Sequence, residues 1–197
     1  MTPPVAILLK APRLGTVKTR LAAQIGERHA LRLYRVMAAR VLAAIRAAGL
    51  DAIVWFTPPD ALVEMQFWLG DSWELRPQIA GDAGARLTAA ARVVPRGHPW
   101  IAVCANCPAL TAAVLRQACA GLERAGIVIG PSYNGGYYLV GGRTPLPDIF
   151  TAMPWGSNRI LAETRARLAR ISATWHELPL LRDVSTVEDA RAEGLLT

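Results

Sequence analysis

Short apolar runs alternate with helix-period segments along almost the whole chain, and this alternation restricts the fold most. Val5–Leu9, Ala52–Phe56, Trp100–Cys104, Ile127–Gly130 and Tyr137–Gly141 have the length and continuity of buried strands. Between them lie segments with apolar residues at helical spacing. The longest runs from about residue 27 to 48, with Ala30, Leu33, Tyr34, Met37, Val41 and Ile45 on one stripe and Gly49 as its stop. Shorter helices are expected near 61–69, 83–94, 111–124 and 158–170, with weak strands near 75–79 and 175–178. Thr186-Val-Glu-Asp189 has capping-box spacing and marks the start of a terminal helix. Strands that alternate with helices imply βαβ units and a mostly parallel sheet covered on both faces. Asn134-Gly135-Gly136, between two apolar runs, is a hairpin signal and makes the sheet mixed. The expectation is an α/β, Rossmann-like chain forming one domain over residues 1–197, since no linker or repeat divides it.

Composition narrows the function classes. No apolar run reaches bilayer length, and Met1-Thr2-Pro3-Pro4 lacks the pattern of a secretory signal, so the expected location is the cytoplasm, with no membrane span. Three cysteines fit a reducing compartment better than a disulfide framework. The net charge of +7 invites a nucleic-acid reading. The arginines are scattered at helix spacing, however, which fits solvated helix faces, and no nucleic-acid partner is expected. The oligomeric state stays open.

Among 22 basic residues only Lys10 and Lys18 are lysines, and both lie in one N-terminal loop. Ligands of open α/β sheets bind beyond the carboxyl ends of the strands, which points to that loop. It reads Lys10-Ala11-Pro12-Arg-Leu-Gly15-Thr-Val-Lys18-Thr-Arg20. Glycine lets backbone N–H groups approach an anion, and lysine binds phosphate as a point charge. The spacing is neither a Walker A loop nor a dinucleotide fingerprint; a solvated basic turn is the alternative reading.

Two further loops stand out. In Gln78-Ile-Ala-Gly81-Asp82-Ala-Gly84-Ala-Arg86, Asp82 can cap the next helix while Gln78 and Arg86 face a ligand. Cys104-Ala-Asn106-Cys107-Pro108 has a redox-like Cys-x-x-Cys spacing, but Pro108 follows at once and no second metal-ligand pair exists at zinc spacing. Of the tryptophans, Trp55, Trp100 and Trp175 sit in strand patterns, whereas Trp155 and Trp73 lie in loops and are the stacking candidates.

Six segments occur in order: Leu9-Lys-Ala-Pro-x-x-Gly-x-Val-Lys-Thr-Arg-Leu21, Gln78-x-x-Gly-Asp-x-Gly-x-Arg86, Asn106-Cys-Pro108, Gly130-Pro-x-x-Asn-Gly-Gly-Tyr-Tyr-Leu-Val-Gly141, Pro154-Trp155 and Leu181-Arg-Asp-Val-x-Thr-x-Glu-Asp189. Together they resemble the bacterial glycosyltransferases of radical-SAM/selenodomain-associated or arsenosugar-biosynthesis type, within the nucleotide-diphospho-sugar transferases of glycosyltransferase A fold. The resemblance implies a nucleotide-sugar or nucleotide as ligand and a sugar transfer to an unknown acceptor. It implies nucleotide and phosphate contacts from Lys10, Ala11, Pro12, Gly15, Lys18, Arg20, Gln78, Gly81, Asp82 and Arg86. Sugar or acceptor contacts would come from Asn134, Gly135, Gly136, Tyr137 and Trp155. A divalent Mg2+ or Mn2+ would bridge the diphosphate, held by Asn106 and Asp183, which are also the implied catalytic residues. Three family carboxylates are replaced here, by Asn106, Asn134 and Ser185. Such a cation would be weakly held, and catalysis is more affected than nucleotide binding. Two other functions share the pattern: a nucleotidyltransferase of guanylyltransferase type, and a nucleotide-binding protein with weakened or lost catalysis. A Cys104/Cys107 thiol oxidoreductase ranks last.

Overall fold

A computed structural model describes residues 2–143 and 148–196. Residues 1, 144–147 and 197 lie outside the described residues, and none of the expected site positions is among those six. The strands are β1 (Val5–Lys10), β2 (Ala52–Thr57), β3 (Glu74–Pro77), β4 (Pro99–Cys104), β5 (Ile127–Pro131), β6 (Tyr137–Arg143) and β7 (His176–Glu177). The helices are α1 (Thr19–Ile25), α2 (Glu27–Ala47), α3 (Leu62–Leu69), α4 (Ala83–Arg92), α5 (Ala112–Ala125), α6 (Ile160–Arg170) and α7 (Val187–Ala192).

The strands form one sheet in the order β3-β2-β1-β4-β6-β5-β7. All pairings are parallel except those of β6, which runs antiparallel to β4 and β5. This is the mixed, mostly parallel α/β sheet expected from the sequence. Its order reverses at β1 and β4: one chain direction builds outward to β3, and the next strand is laid on the other side of β1. Alternate strand residues feed the two faces. Val5, Ile7 and Leu9 pack under α2 and α5, whereas Ala6, Trp55, Trp100 and Ile129 join α4 and α6 residues on the opposite face.

The main boundary that differs from expectation lies after β1. The loop after β1 ends earlier, because α1 begins at Thr19. Gly26, at φ 82°, then separates α1 from α2. A left-handed glycine ends one helix and opens the next at an angle that apolar spacing alone does not reveal. At the chain's end, Thr186 accepts a hydrogen bond from the Asp189 N–H, and Asp189 accepts one from the Thr186 N–H, completing the expected capping box. The α7 cap anchors the segment that carries Asp183, and Thr186→Ala is expected to lower stability by about 1 kcal/mol in urea unfolding. Among the described residues no helix is long and apolar enough to cross a membrane.

Candidate nucleotide-binding cleft

A cleft of about 410 Å3 opens beyond the carboxyl ends of β1, β2 and β4, at the reversal point of the sheet. Its walls include Lys10, Lys18, Gln78, Arg86, Asn106, Tyr137 and Trp155, seven of the residues singled out in the sequence. No carboxylate and no histidine lines it among the described residues.

The turn after β1 is firmly built. The Ala11 N–H donates to the Thr57 carbonyl (2.8 Å), which prolongs the β1–β2 ladder. Ala11 and Pro12 are buried behind it. Tyr34 of α2 donates its hydroxyl to the Lys10 carbonyl (2.8 Å) and accepts from the Lys10 N–H (2.9 Å). That clamp holds Lys10 at the cleft mouth. In the sequence, Tyr34 reads as part of a core stripe; the polar end of a tyrosine in such a stripe is the only signal of this role. Gly15 has φ 74°, a conformation that favours glycine; the Glu27 carboxylate that a Cβ there would meet at 2.9 Å can swing aside.

Lys18 and Arg20 part company. Lys18 lies in the left-handed region (φ 51°, ψ 43°), and its side chain is only 9% exposed. Its ammonium donates to the Val184 carbonyl (2.5 Å) and lies 4.0 Å from Asp183 Oδ1. Burial lowers the pKa of Lys18, opposed by Asp183. Burial likewise raises that of Asp183, opposed by Lys18. Arg20 lies on α1, exposed to solvent and outside the cleft lining. Once Thr19 opens a helix, the side chain two residues after Lys18 points to another face.

Asn106 follows β4, and its carbonyl accepts from the Val184 N–H (2.9 Å), which pins the Asp183 segment to the end of that strand. Cys104 and Cys107 beside it are unbonded thiols. Burial pushes Cys107 up to about 12 and Cys104 well above the usual range. Neither is a ready thiolate, which argues against a redox pair.

The opposite wall is built by α4. Gln78 is buried; its amide donates to the carbonyls of Leu9 (3.1 Å) and Trp55 (2.8 Å), bridging β1 and β2. Its oxygen accepts from Arg86 Nη1 (3.2 Å). Gln78 thus orients Arg86 rather than presenting its own polar atoms. Gly81 (φ 121°) and the exposed Asp82, whose carboxylate caps α4 at the Ala85 N–H (2.8 Å), shape the turn before the helix. A Cβ on Gly84 would meet the Phe150 carbonyl at 2.5 Å and Trp155 Nε1 at 3.0 Å, so glycine lets the 150–155 loop lie on α4.

Two donors in this wall lack partners. Arg86 Nε and Trp155 Nε1 are buried without a hydrogen bond, and Arg86 has no carboxylate partner among the described residues. The Trp155 ring is fixed by an edge contact with Tyr137 (centroids 6.4 Å) and a tilted one with Phe150 (6.3 Å). Trp73, the other loop tryptophan, packs under Arg46 between α2 and α3, away from the cleft.

Asn134, Gly135 and Gly136 form the β5–β6 turn and do not line the cleft. Asn134 Oδ1 accepts from Ser132 Oγ (2.6 Å) and the Gly136 N–H (3.0 Å). Gly135 passes against the start of α6, where its carbonyl accepts from the Leu161 N–H (2.9 Å). The three residues therefore seat α6 and its preceding loop, and through them Trp155.

Residues 38–157 match a family described as uncharacterized protein conserved in bacteria, DUF2064. The chain belongs to that family. The DUF2064 segment holds Gln78, Arg86, Asn106, Tyr137 and Trp155, while the β1 loop and Asp183 lie outside the matched range. A Desulfovibrio desulfuricans G20 protein, provisionally described as a nucleotide-diphospho-sugar transferase, superposes with a TM-score of 0.90 at 27% identity, over 98% of this chain and 87% of its own. A nucleotidyl transferase of Methanothermobacter thermautotroptrophicus superposes at 0.60, with 16% identity over 98% and 96%. Rv0371c of Mycobacterium tuberculosis H37Rv, in complex with manganese, does so at 0.58, with 19% identity over 99% and 98%. The last two share the fold. No curated protein matches the chain. The fold is that of nucleotide-diphospho-sugar transferases, and two of these three neighbours are described as transferases, one of them provisionally.

Proposed function

We propose that the whole chain is one nucleotide-diphospho-sugar transferase domain that binds a nucleotide-sugar by its diphosphate and passes the sugar to an acceptor. The observation that carries this reading is Arg86, a guanidinium in the cleft at the sheet's reversal point with no acidic partner among the described residues and a buried, unused Nε. A guanidinium held in a cleft without a counter-ion is costly unless a ligand supplies the negative charge. A diphosphate does so, and its negative charge grows as the sugar leaves, so Arg86 and Lys10 favour departure by stabilising that charge. Lys18 already has Asp183 as its counter-ion and contributes less. The Tyr137–Trp155 pair offers a stacking wall for a base or sugar.

The motif order places the chain, on our reading, with the radical-SAM/selenodomain-associated, arsenosugar-type transferases. The divalent cation implied by that resemblance would meet one carboxylate, Asp183, already facing an ammonium, and one neutral amide, Asn106. These residues do not fit a divalent ion resident in the free protein. Among the described residues no carboxylate or histidine lines the cleft, so the side chains described there supply anion binding and leaving-group stabilisation but no general base.

Isothermal titration with nucleoside diphosphates and UDP-, GDP- and other nucleotide-sugars tests the reading. Saturable binding of at least one diphosphate is expected, and no binding across the panel overturns it. The likeness to a nucleotidyl transferase gives the second reading its observation. Release of pyrophosphate from a nucleoside triphosphate, rather than of a nucleoside diphosphate from a nucleotide-sugar, would select it.

A further inference from the structure

The position of the Lys18 ammonium resembles that of a bound cation. Its backbone takes the left-handed conformation (φ 51°, ψ 43°), which is disfavoured for a residue with a Cβ. The buried side chain reaches across to the C-terminal segment. There the Val184 carbonyl lies 2.5 Å from Nζ and Asp183 Oδ1 lies 4.0 Å from it. Oδ1 is buried and makes no hydrogen bond, so the ammonium is its charge partner. This seat is held in place from two sides. The Val184 N–H is bound to the Asn106 carbonyl at the end of β4, and α7 begins three residues beyond Val184 behind its capping box.

The other carboxylates nearby are engaged or face solvent: Glu188 is exposed, and Glu193 lies 3.9 Å from Arg182. Asp189 accepts from Arg182 (3.1 Å) and from the N–H groups of Ser185 and Thr186 (3.0 Å each). Asn106, where the resembling family carries an aspartate, adds no charge. The seat therefore combines one carboxylate with one ammonium. A divalent ion entering beside that ammonium would meet like-charge repulsion without a second anion to offset it.

We propose that the Lys18 ammonium is the resident cation of this cleft, seated against the Val184 carbonyl and the Asp183 carboxylate, so that the free protein takes up no divalent cation there and removing the ammonium exposes an oxygen-lined seat to one. The inference is independent of which nucleotide binds, since Mn2+ alone tests it.

The experiment is a Mn2+ titration followed by the paramagnetic resonance signal of free Mn2+, on the wild type, Lys18→Met, Asp183→Asn and the double variant, with circular dichroism as the check on folding. The wild type is expected to show no saturable binding below about 1 mM, the weak end of oxygen-ligand sites. Lys18→Met is expected to bind at least about tenfold more tightly, a gain that Asp183→Asn removes in the double variant. Submillimolar wild-type binding that depends on Asp183 overturns the proposal, and so does a folded Lys18→Met that binds no better than the wild type. If Lys18→Met does not fold, Lys18→Gln takes its place, and the comparison of wild type with Asp183→Asn decides the first point without either variant.

Discussion

Arg86→Met is expected to weaken binding of a nucleoside diphosphate about 10- to 150-fold, the effect of losing one or two charge-assisted hydrogen bonds worth roughly 1.5–3 kcal/mol in total. The same change is expected to alter stability little, because losing the unused Nε offsets leaving the buried Gln78 oxygen without its donor. In the free protein the Arg86 side chain makes one hydrogen bond among the described residues, to Gln78 at 3.2 Å, and leaves Nε buried and unused. Removing such a donor relieves a desolvation cost while keeping most of the side-chain volume. A large loss of affinity without a matching loss of stability is the mark of a residue held for a ligand rather than for the fold. Arg86→Lys should restore only part of the affinity, because an ammonium keeps the charge but not the planar fork. Titration calorimetry beside urea unfolding checks both halves. An Arg86→Met variant that binds diphosphate as the wild type does, or that loses several kcal/mol of stability, removes Arg86 from the ligand site.

Gly135→Ala should be the most damaging single-methyl change in the molecule's second half. Its φ is 79°, and a Cβ there would lie 2.1 Å from the Asn158 carbonyl oxygen and 2.7 Å from the carbonyl carbon. Backbone atoms cannot swing aside as a flexible side chain can. The left-handed conformation alone costs about 1–2 kcal/mol for a residue with a Cβ, and overpacking adds about 1–3 kcal/mol. A loss of roughly 3 kcal/mol or more is therefore expected in urea unfolding. Gly156 is the internal control: its φ is 81°, and nothing lies within 4 Å of its would-be Cβ. Gly156→Ala should lose only about 1 kcal/mol, the conformational part alone. Equal losses in the two variants would show that the β5–β6 turn is not pressed onto the start of α6. The turn also positions the cleft wall. A folded Gly135→Ala variant should shift the loop that carries Trp155 and bind nucleotide more weakly.

The elements were legible because burial leaves a periodic trace. A strand covered on both faces reads as an unbroken apolar run, as Val5–Leu9 and Trp100–Cys104 do, and α2 shows its buried stripe at helical spacing. Caps and tight turns were legible for a different reason. Their chemistry is local, and Thr186 with Asp189, Asp82, and Asn134 with its two glycines act on backbone groups a few residues away. The start of α2 at Glu27 agrees with the apolar stripe, whereas α1 was not legible because its seven residues are too few to show a buried stripe at helical spacing.

Chain order and residue type were enough to indicate a mixed α/β sheet and to single out Lys10, Gln78, Arg86, Asn106, Tyr137 and Trp155, all of which meet at one cleft. The pairing of charges across long sequence separations could not be read that way. That Lys18 faces the Val184 carbonyl 166 residues away while Arg20 faces water depends on where α1 starts and how the last segment returns to β4. Side-chain periodicity records burial against an averaged apolar environment, whereas a hydrogen bond or ion pair depends on distances of a few ångströms between particular atoms. Those distances arise when the sheet is assembled, and they separate a paired lysine from an unpaired arginine in the same cleft.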